Sequence, residues 1–238
     1  MKKKLLIISV AVLTVAAIVS AFLISQHIKE RREAEIWQSE VEKYRAAKIS
    51  AYIEENERYK DFEVDVAFIG DSLTDGYDLP TYYPQYLTVN RGIGGDTTHG
   101  LEARLDVSVY ALKPKVAVML IGANNPYTMF ENYERILAGF KENIPQTSIV
   151  LLSMTSMGSE WGKNNNLAAF NSMKIKALAE KYGYSFVDVY TPLLNLETGE
   201  IYDEYTTDGG HLTPLGYRVL TDAVTPVLER ILSTENQG

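Results

Sequence analysis

One serine and one aspartate–histidine pair in this chain have the types and spacing that nucleophilic catalysis needs. Ser72 stands in Gly70-Asp71-Ser72-Leu73, directly after the apolar run Val64–Ile69. A serine in a tight turn after a strand presents its hydroxyl at the sheet edge, with backbone N–H groups nearby for a developing oxyanion. Serine alone is a weak nucleophile and needs a base. The three histidines are His27, His99 and His211. His27 lies just past the apolar N-terminal segment and His99 at a predicted helix start, so elimination leaves His211. Asp208 comes three residues before it, close enough to hold the imidazole in the required tautomer. Together these residues match the roles of a Ser-His-Asp triad. The structural alternative for Asp208 and His211 is a plain turn before a helix.

Other chemistries find little support. The chain has no cysteine, which removes disulfides, thiolate nucleophiles and Cys-ligated zinc. No His-x-x-x-His or His-x-His pair exists for a catalytic metal. The formal net charge of -8 argues against a nucleic-acid partner. Gly92-x-Gly94 begins a dinucleotide fingerprint, but Thr97 occupies the place of its last glycine. An aspartyl nucleophile at Asp71 would want a second acid two residues on, where Leu73 stands.

Positioning these residues requires a sheet. Five short apolar runs (Val64–Ile69, Tyr86–Asn90, Val116–Ile121, Ser148–Met154 and Tyr184–Val189) read as buried parallel strands. Helical patterns separate them at Thr98–Tyr110, Tyr127–Asn143 and Asn166–Tyr182. A last helix is signalled by Thr213 as N-cap and Pro214 at the first helical position. The alternation predicts an α/β fold: a doubly wound, three-layer α/β/α sandwich with a five-stranded parallel sheet, flavodoxin-like in type. Every loop after a strand then emerges at one edge, where such folds bind ligands. Aromatic and methionine residues follow these strands: Tyr77, Tyr82, Tyr83 and Tyr86; Tyr127, Met129 and Phe130; Met154, Met157 and Trp161. They are candidate walls for an acyl or sugar group, or ordinary core.

The N-terminus has another character. Lys2, Lys3 and Lys4 precede an uncharged run of 21 residues, Leu5–Ser25, long enough to cross about 30 Å of hydrocarbon as a helix. Residues 1–25 are therefore expected to be an uncleaved signal anchor with a single transmembrane helix. The lysines favour a cytoplasmic N-terminus and an extracytoplasmic domain; a domain tethered on the inner face is the alternative. Residues 26–62 lack Gly and Pro and are rich in Ala, Glu, Lys and Arg, which predicts helix. Trp37, Val41, Tyr44, Ile49 and Ile53 recur on one face, as a stalk or as a helix packing on the domain. Residues 63–238 form the predicted domain.

At these motifs the chain resembles the SGNH, or GDSL, hydrolase family. Gly70-Asp71-Ser72-Leu73 matches its nucleophile block, and Asn90-Arg91-Gly92-Ile93-Gly94-Gly95-Asp96 its second block. Gly122-Ala123-Asn124-Asn125 matches the third, and Asp208-Gly209-Gly210-His211 the closing block. The nearest flavour is similar to lysophospholipase-like and platelet-activating-factor-acetylhydrolase-like esterases. The resemblance implies ester hydrolysis without a cofactor. It also implies Ser72, Asp208 and His211 as catalytic residues, with the Ser72 and Gly95 backbone N–H groups and the Asn124 amide as the oxyanion hole. Asn125 departs from the family's Gly-x-Asn-Asp, which is the one hint of the competing reading: a non-catalytic carbohydrate- or lipid-binding module on this scaffold. Fold and triad do not choose between small acyl esters, acylated glycans and lysophospholipids.

Overall fold

The five apolar runs become the strands of one sheet because alternate side chains can be buried on both faces. The computed structural model describes residues 2–235, with side chains for 19, 20 and 22–234. In chain order the elements are α1 (Lys2–Asn56), β1 (Val66–Gly70), α2 (Ser72–Asp75), α3 (Leu79–Tyr82), β2 (Thr88–Gly92), α4 (Thr98–Glu102), β3 (Val116–Leu120), α5 (Met129–Asn143), β4 (Ser148–Leu152), α6 (Asn165–Tyr182) and β5 (Ser185–Val187). The short pair β6 (Leu194–Asn195) and β7 (Glu200–Ile201) and the helix α7 (Pro214–Glu235) follow. A single π-helical turn, Asp106–Tyr110, replaces the second half of the helix predicted over Thr98–Tyr110.

The sheet is parallel, in the order β2-β1-β3-β4-β5, so the predicted five-stranded doubly wound sheet is present. Strand residues alternate between two cores. Val66, Phe68, Val118, Val150 and Leu152 pack with Leu220, Val224 and Leu228 of α7. Ile69, Ala117, Met119, Ile149 and Leu151 face the other way, onto Tyr133, Ile136, Phe140, Ala168 and Ile175 of α5 and α6. Of the predicted aromatic walls, Tyr77 and Tyr83 are core residues beside Phe68, and Met129 is buried in the second cluster.

The chain divides into two compact units, Met1–Lys48 and Ile49–Gly238. The first is helical, and its side chains 22–40 are exposed wherever described, Trp37 among them. Among the described residues no helix is long and apolar enough to cross a membrane. The expected anchor, Leu5–Ser25, lies mostly outside the residues whose side chains are described. The second unit begins with the last turns of α1. There Tyr52 is buried and donates its hydroxyl to the Gly92 carbonyl. Glu55 and Asn56 accept from the fully buried Arg91, at 2.5 and 2.9 Å.

Candidate active site

The carboxyl edge of the sheet collects the candidate residues. β1 runs into α2 with no intervening loop, and Asp71 caps that helix by accepting from the Leu73 N–H at 3.2 Å. The junction allows no side chain at Gly70, whose Cβ would sit 2.0 Å from the Leu120 carbonyl oxygen of β3. Ser72 is therefore held at the helix start, half-buried, with its hydroxyl at the edge. From α7, the Tyr217 hydroxyl donates to the Leu73 carbonyl at 2.9 Å and fixes the turn from the other side. Burial pushes the Asp71 carboxyl up to about 7 against the Leu73 hydrogen bond. It is a structural cap beneath the serine rather than a second acid facing solvent.

Asp208 and His211 arrive on the loop before α7. The His211 and Gly210 N–H groups donate to Asp208 Oδ1 at 2.7 and 2.9 Å, and His211 Nδ1 lies 2.7 Å from Oδ2. These bonds, the His211 backbone N–H foremost, hold the Asp208 carboxyl down at about 2. A carboxylate only accepts, so Nδ1 carries the proton and Nε2 is left as acceptor. Nε2 lies 3.1 Å from Ser72 Oγ. The hydroxyl can donate to it, which is the geometry of a nucleophile poised on its base.

The two implied oxyanion residues other than Ser72 itself sit on the loops after β2 and β3. Asn124 lines the hollow beside Ser72 and His211. Its Nδ2 donates to the Asp96 carbonyl at 2.8 Å, and a side-chain amide has a second N–H to offer. Gly95, one residue before Asp96, is exposed and does not line that hollow. The Gly94 N–H donates to Asp75 Oδ2 at 2.9 Å, tying the glycine loop to the serine turn.

Asn125 pairs doubly with Thr98. Its Oδ1 accepts from the Thr98 N–H at 3.2 Å and its Nδ2 donates to the Thr98 hydroxyl at 2.9 Å. An aspartate could accept both bonds once the hydroxyl turns from acceptor to donor. Asn125→Asp is accordingly expected to leave kcat/KM for an ester within about threefold of wild type. A tenfold change would mean that the substitution retunes the loop.

Sequence reasoning passed over Arg104. It is buried and bonds to Asp96, Arg91, Ser108 and Gly70 at once. The available signal was a charged residue on the apolar face of Leu101 and Leu105. Of the remaining candidate walls, Met157 and Trp161 line the hollow, while Tyr127 is exposed and Tyr86 lies at the opposite sheet edge. That opposite edge has a hollow of about 470 Å³, bordered by Phe62, Asp65 and Lys115, with none of the triad candidates. His99 is exposed. Among the described residues no three His, Cys, Asp or Glu side chains gather as metal ligands.

A family model for GDSL-like lipases and acylhydrolases matches residues 68–219, more than half of the chain. The chain belongs to this family. It is accordingly a hydrolase acting on ester bonds. No curated protein matches it in sequence. Among solved structures, a protein of Streptococcus pneumoniae described as a candidate platelet activating factor is 25% identical with a TM-score of 0.70. That match covers 82% of this chain and 97% of the other. A GDSL-like lipase from Bacteroides thetaiotaomicron is 24% identical with a TM-score of 0.67, over 76% and 97% of the two chains. An acetylxylan esterase from Geobacillus stearothermophilus is 23% identical with a TM-score of 0.57, over 71% and 95%. The last two likenesses concern the fold.

Proposed function

We propose that this GDSL-family hydrolase is a membrane-anchored serine esterase that works through an acyl-enzyme on Ser72. The observation that carries the reading is the continuous chain Ser72 Oγ, His211 Nε2, His211 Nδ1, Asp208 Oδ2, with contacts of 3.1 and 2.7 Å. Ser72 Oγ attacks the ester carbonyl as His211 Nε2 takes its proton. The oxyanion is received by the Ser72 backbone N–H and the Asn124 amide, which border the hollow; the Gly95 N–H, the third donor the family implies, stands outside its lining. One such donor is typically worth about 10²–10³ in kcat. As the C–O bond breaks, the imidazolium returns the proton to the leaving alkoxide. Water then attacks the acyl-enzyme with His211 again as base, releasing the acid and free Ser72. Asp208 keeps the imidazole in register and offsets its positive charge.

The substrate is an acyl ester of a small alcohol, a glycan or a lysolipid. Lys2–Lys4 followed by 21 uncharged residues supports a single-pass anchor with the hydrolase domain outside the cytoplasm. A serine-directed fluorophosphonate should label the full chain on the peptide carrying Ser72, and a Ser72→Ala chain should remain unlabelled. Labelling elsewhere, or none on a folded protein, would favour a binding module. The anchor is tested separately: the chain should stay with membranes after alkaline carbonate washing, and release by the wash would refute it.

A further inference from the structure

Ser72, Asn124 and His211 open onto a cavity of about 50 Å³, walled by Ala123, Thr155 and Met157, with Trp161 at its half-exposed side. It is a small cavity for an acyl group. Pockets that engulf larger ligands run to about 300–1,000 Å³. An octanoyl chain adds six methylenes to an acetyl group, far more than this cavity beside the serine is built to enclose.

The wall at Met157 is also fixed. Met157 and Thr155 are buried. The Met157 N–H donates to Asn165 Oδ1 at 2.7 Å, and the Met157 carbonyl accepts from Asn165 Nδ2 at 2.5 Å and from the Ile201 N–H at 3.2 Å. Asn165 is itself buried at the start of α6, and its Nδ2 also donates to the Gly199 carbonyl at 2.9 Å. One amide thus grips both peptide groups of the wall residue. The next residue is locked to the loop that carries the triad pair. The Gly158 N–H donates to the Gly209 carbonyl at 2.8 Å. Gly209 has φ 90°, and a Cβ there would lie 2.2 Å from the Gly158 oxygen. Shifting the Met157 backbone to admit a longer chain would break these bonds and disturb the loop that holds His211, whereas shortening the Met157 side chain leaves them in place.

We infer that the enzyme is selective for acetyl esters, with Met157 as the residue that excludes longer acyl chains and Asn165 as its positioning residue. The inference rests on Ser72 being the nucleophile. Its test compares kcat/KM of the full chain on p-nitrophenyl acetate, butyrate and octanoate at one detergent concentration, with Ser72→Ala as background. Wild type should lose at least about tenfold from acetate to butyrate, since each methylene in a tight pocket is worth about 10–200-fold, and octanoate should match background. Met157→Ala should bring butyrate to within about threefold of acetate. If that variant fails to fold, Met157→Val should move the ratio in the same direction by a smaller factor. Octanoate cleaved by wild type as fast as acetate would overturn the inference, and a folded Met157 variant with an unchanged ratio would remove Met157 from it. Fluorophosphonate labelling separates the two levels. A labelled chain with a flat profile, or with no turnover of acetate, sinks the acetyl assignment alone. A folded, unlabelled chain that cleaves nothing sinks the nucleophile and the acetyl assignment together.

Discussion

Alanine at Ser72, alanine at His211 and the double substitution are expected to reach the same floor, about a millionfold below wild type in kcat. On the proposed mechanism the two side chains perform one act, the transfer of the Ser72 proton to Nε2 across 3.1 Å. Without the hydroxyl there is nothing to acylate. Without the imidazole the hydroxyl has no base and the leaving alkoxide no proton. Removing the second partner then takes away nothing further, which is how residues acting as a unit behave. Asp208→Asn should cost less, about 10⁴-fold, because it spoils the tautomer while leaving both partners in place. Activity at the floor should still exceed spontaneous hydrolysis by about 10³–10⁴, through the oxyanion donors alone. The measurement is kcat on p-nitrophenyl acetate, with thermal unfolding to establish that each variant folds. Losses that multiply in the double variant, or a His211→Ala enzyme near wild type, would show that the two side chains act independently.

Much of this arrangement was legible because it depends on local rules. Apolar runs of strand length between helical periods specify a parallel sheet, and the sheet sends Gly70-Asp71-Ser72 and Gly122-Ala123-Asn124 to one edge. Pro214 behind Thr213 marked the start of α7 to the residue. Less local features escaped. The pair β6 and β7 is only two residues per strand, too short to have a periodicity, yet it supplies Ile201 to the Met157 wall. Tyr77 and Tyr83 follow the nucleophile in sequence but turn into the core, where the Tyr77 hydroxyl bonds to Thr221 of α7 at 2.5 Å. Nothing within their own segment records that α7 returns to cover them. Met157 and Trp161, two of the candidate walls, do line the hollow beside Ser72, but how Met157 is held was not readable, since it is bonded by an asparagine on a different element.

Arg104 shows that non-local organisation at one side chain, and Arg104→Ala is expected to destabilise the domain by about 3–5 kcal/mol. The guanidinium is buried. Its Nε donates to Asp96 Oδ2 at 2.8 Å, Nη1 to the Arg91 carbonyl at 2.9 Å and Ser108 Oγ at 2.8 Å, and Nη2 to the Gly70 carbonyl at 2.9 Å. These acceptors belong to the end of β1, the end of β2, the glycine loop and the π-helical turn, so one planar fork joins four segments. Alanine leaves the Asp96 carboxylate buried without that cation and strips a donor from the carbonyls of Gly70 and Arg91, each loss costly in a dry interior. In a domain of this size the melting temperature should fall by roughly 10–15 °C. Arg104→Lys should recover only a minor part, because an ammonium is a compact point charge and cannot span the fork. Activity should fall further than stability requires, since the Asp96 carbonyl receives the Asn124 amide at 2.8 Å and a loosened glycine loop misplaces the proposed oxyanion donors. Thermal unfolding of the two variants, read beside kcat at a temperature where both are folded, tests both halves. An alanine variant melting within 3 °C of wild type would mean that water or a shifted neighbour replaces the fork, and full activity in a destabilised variant would uncouple Arg104 from the site.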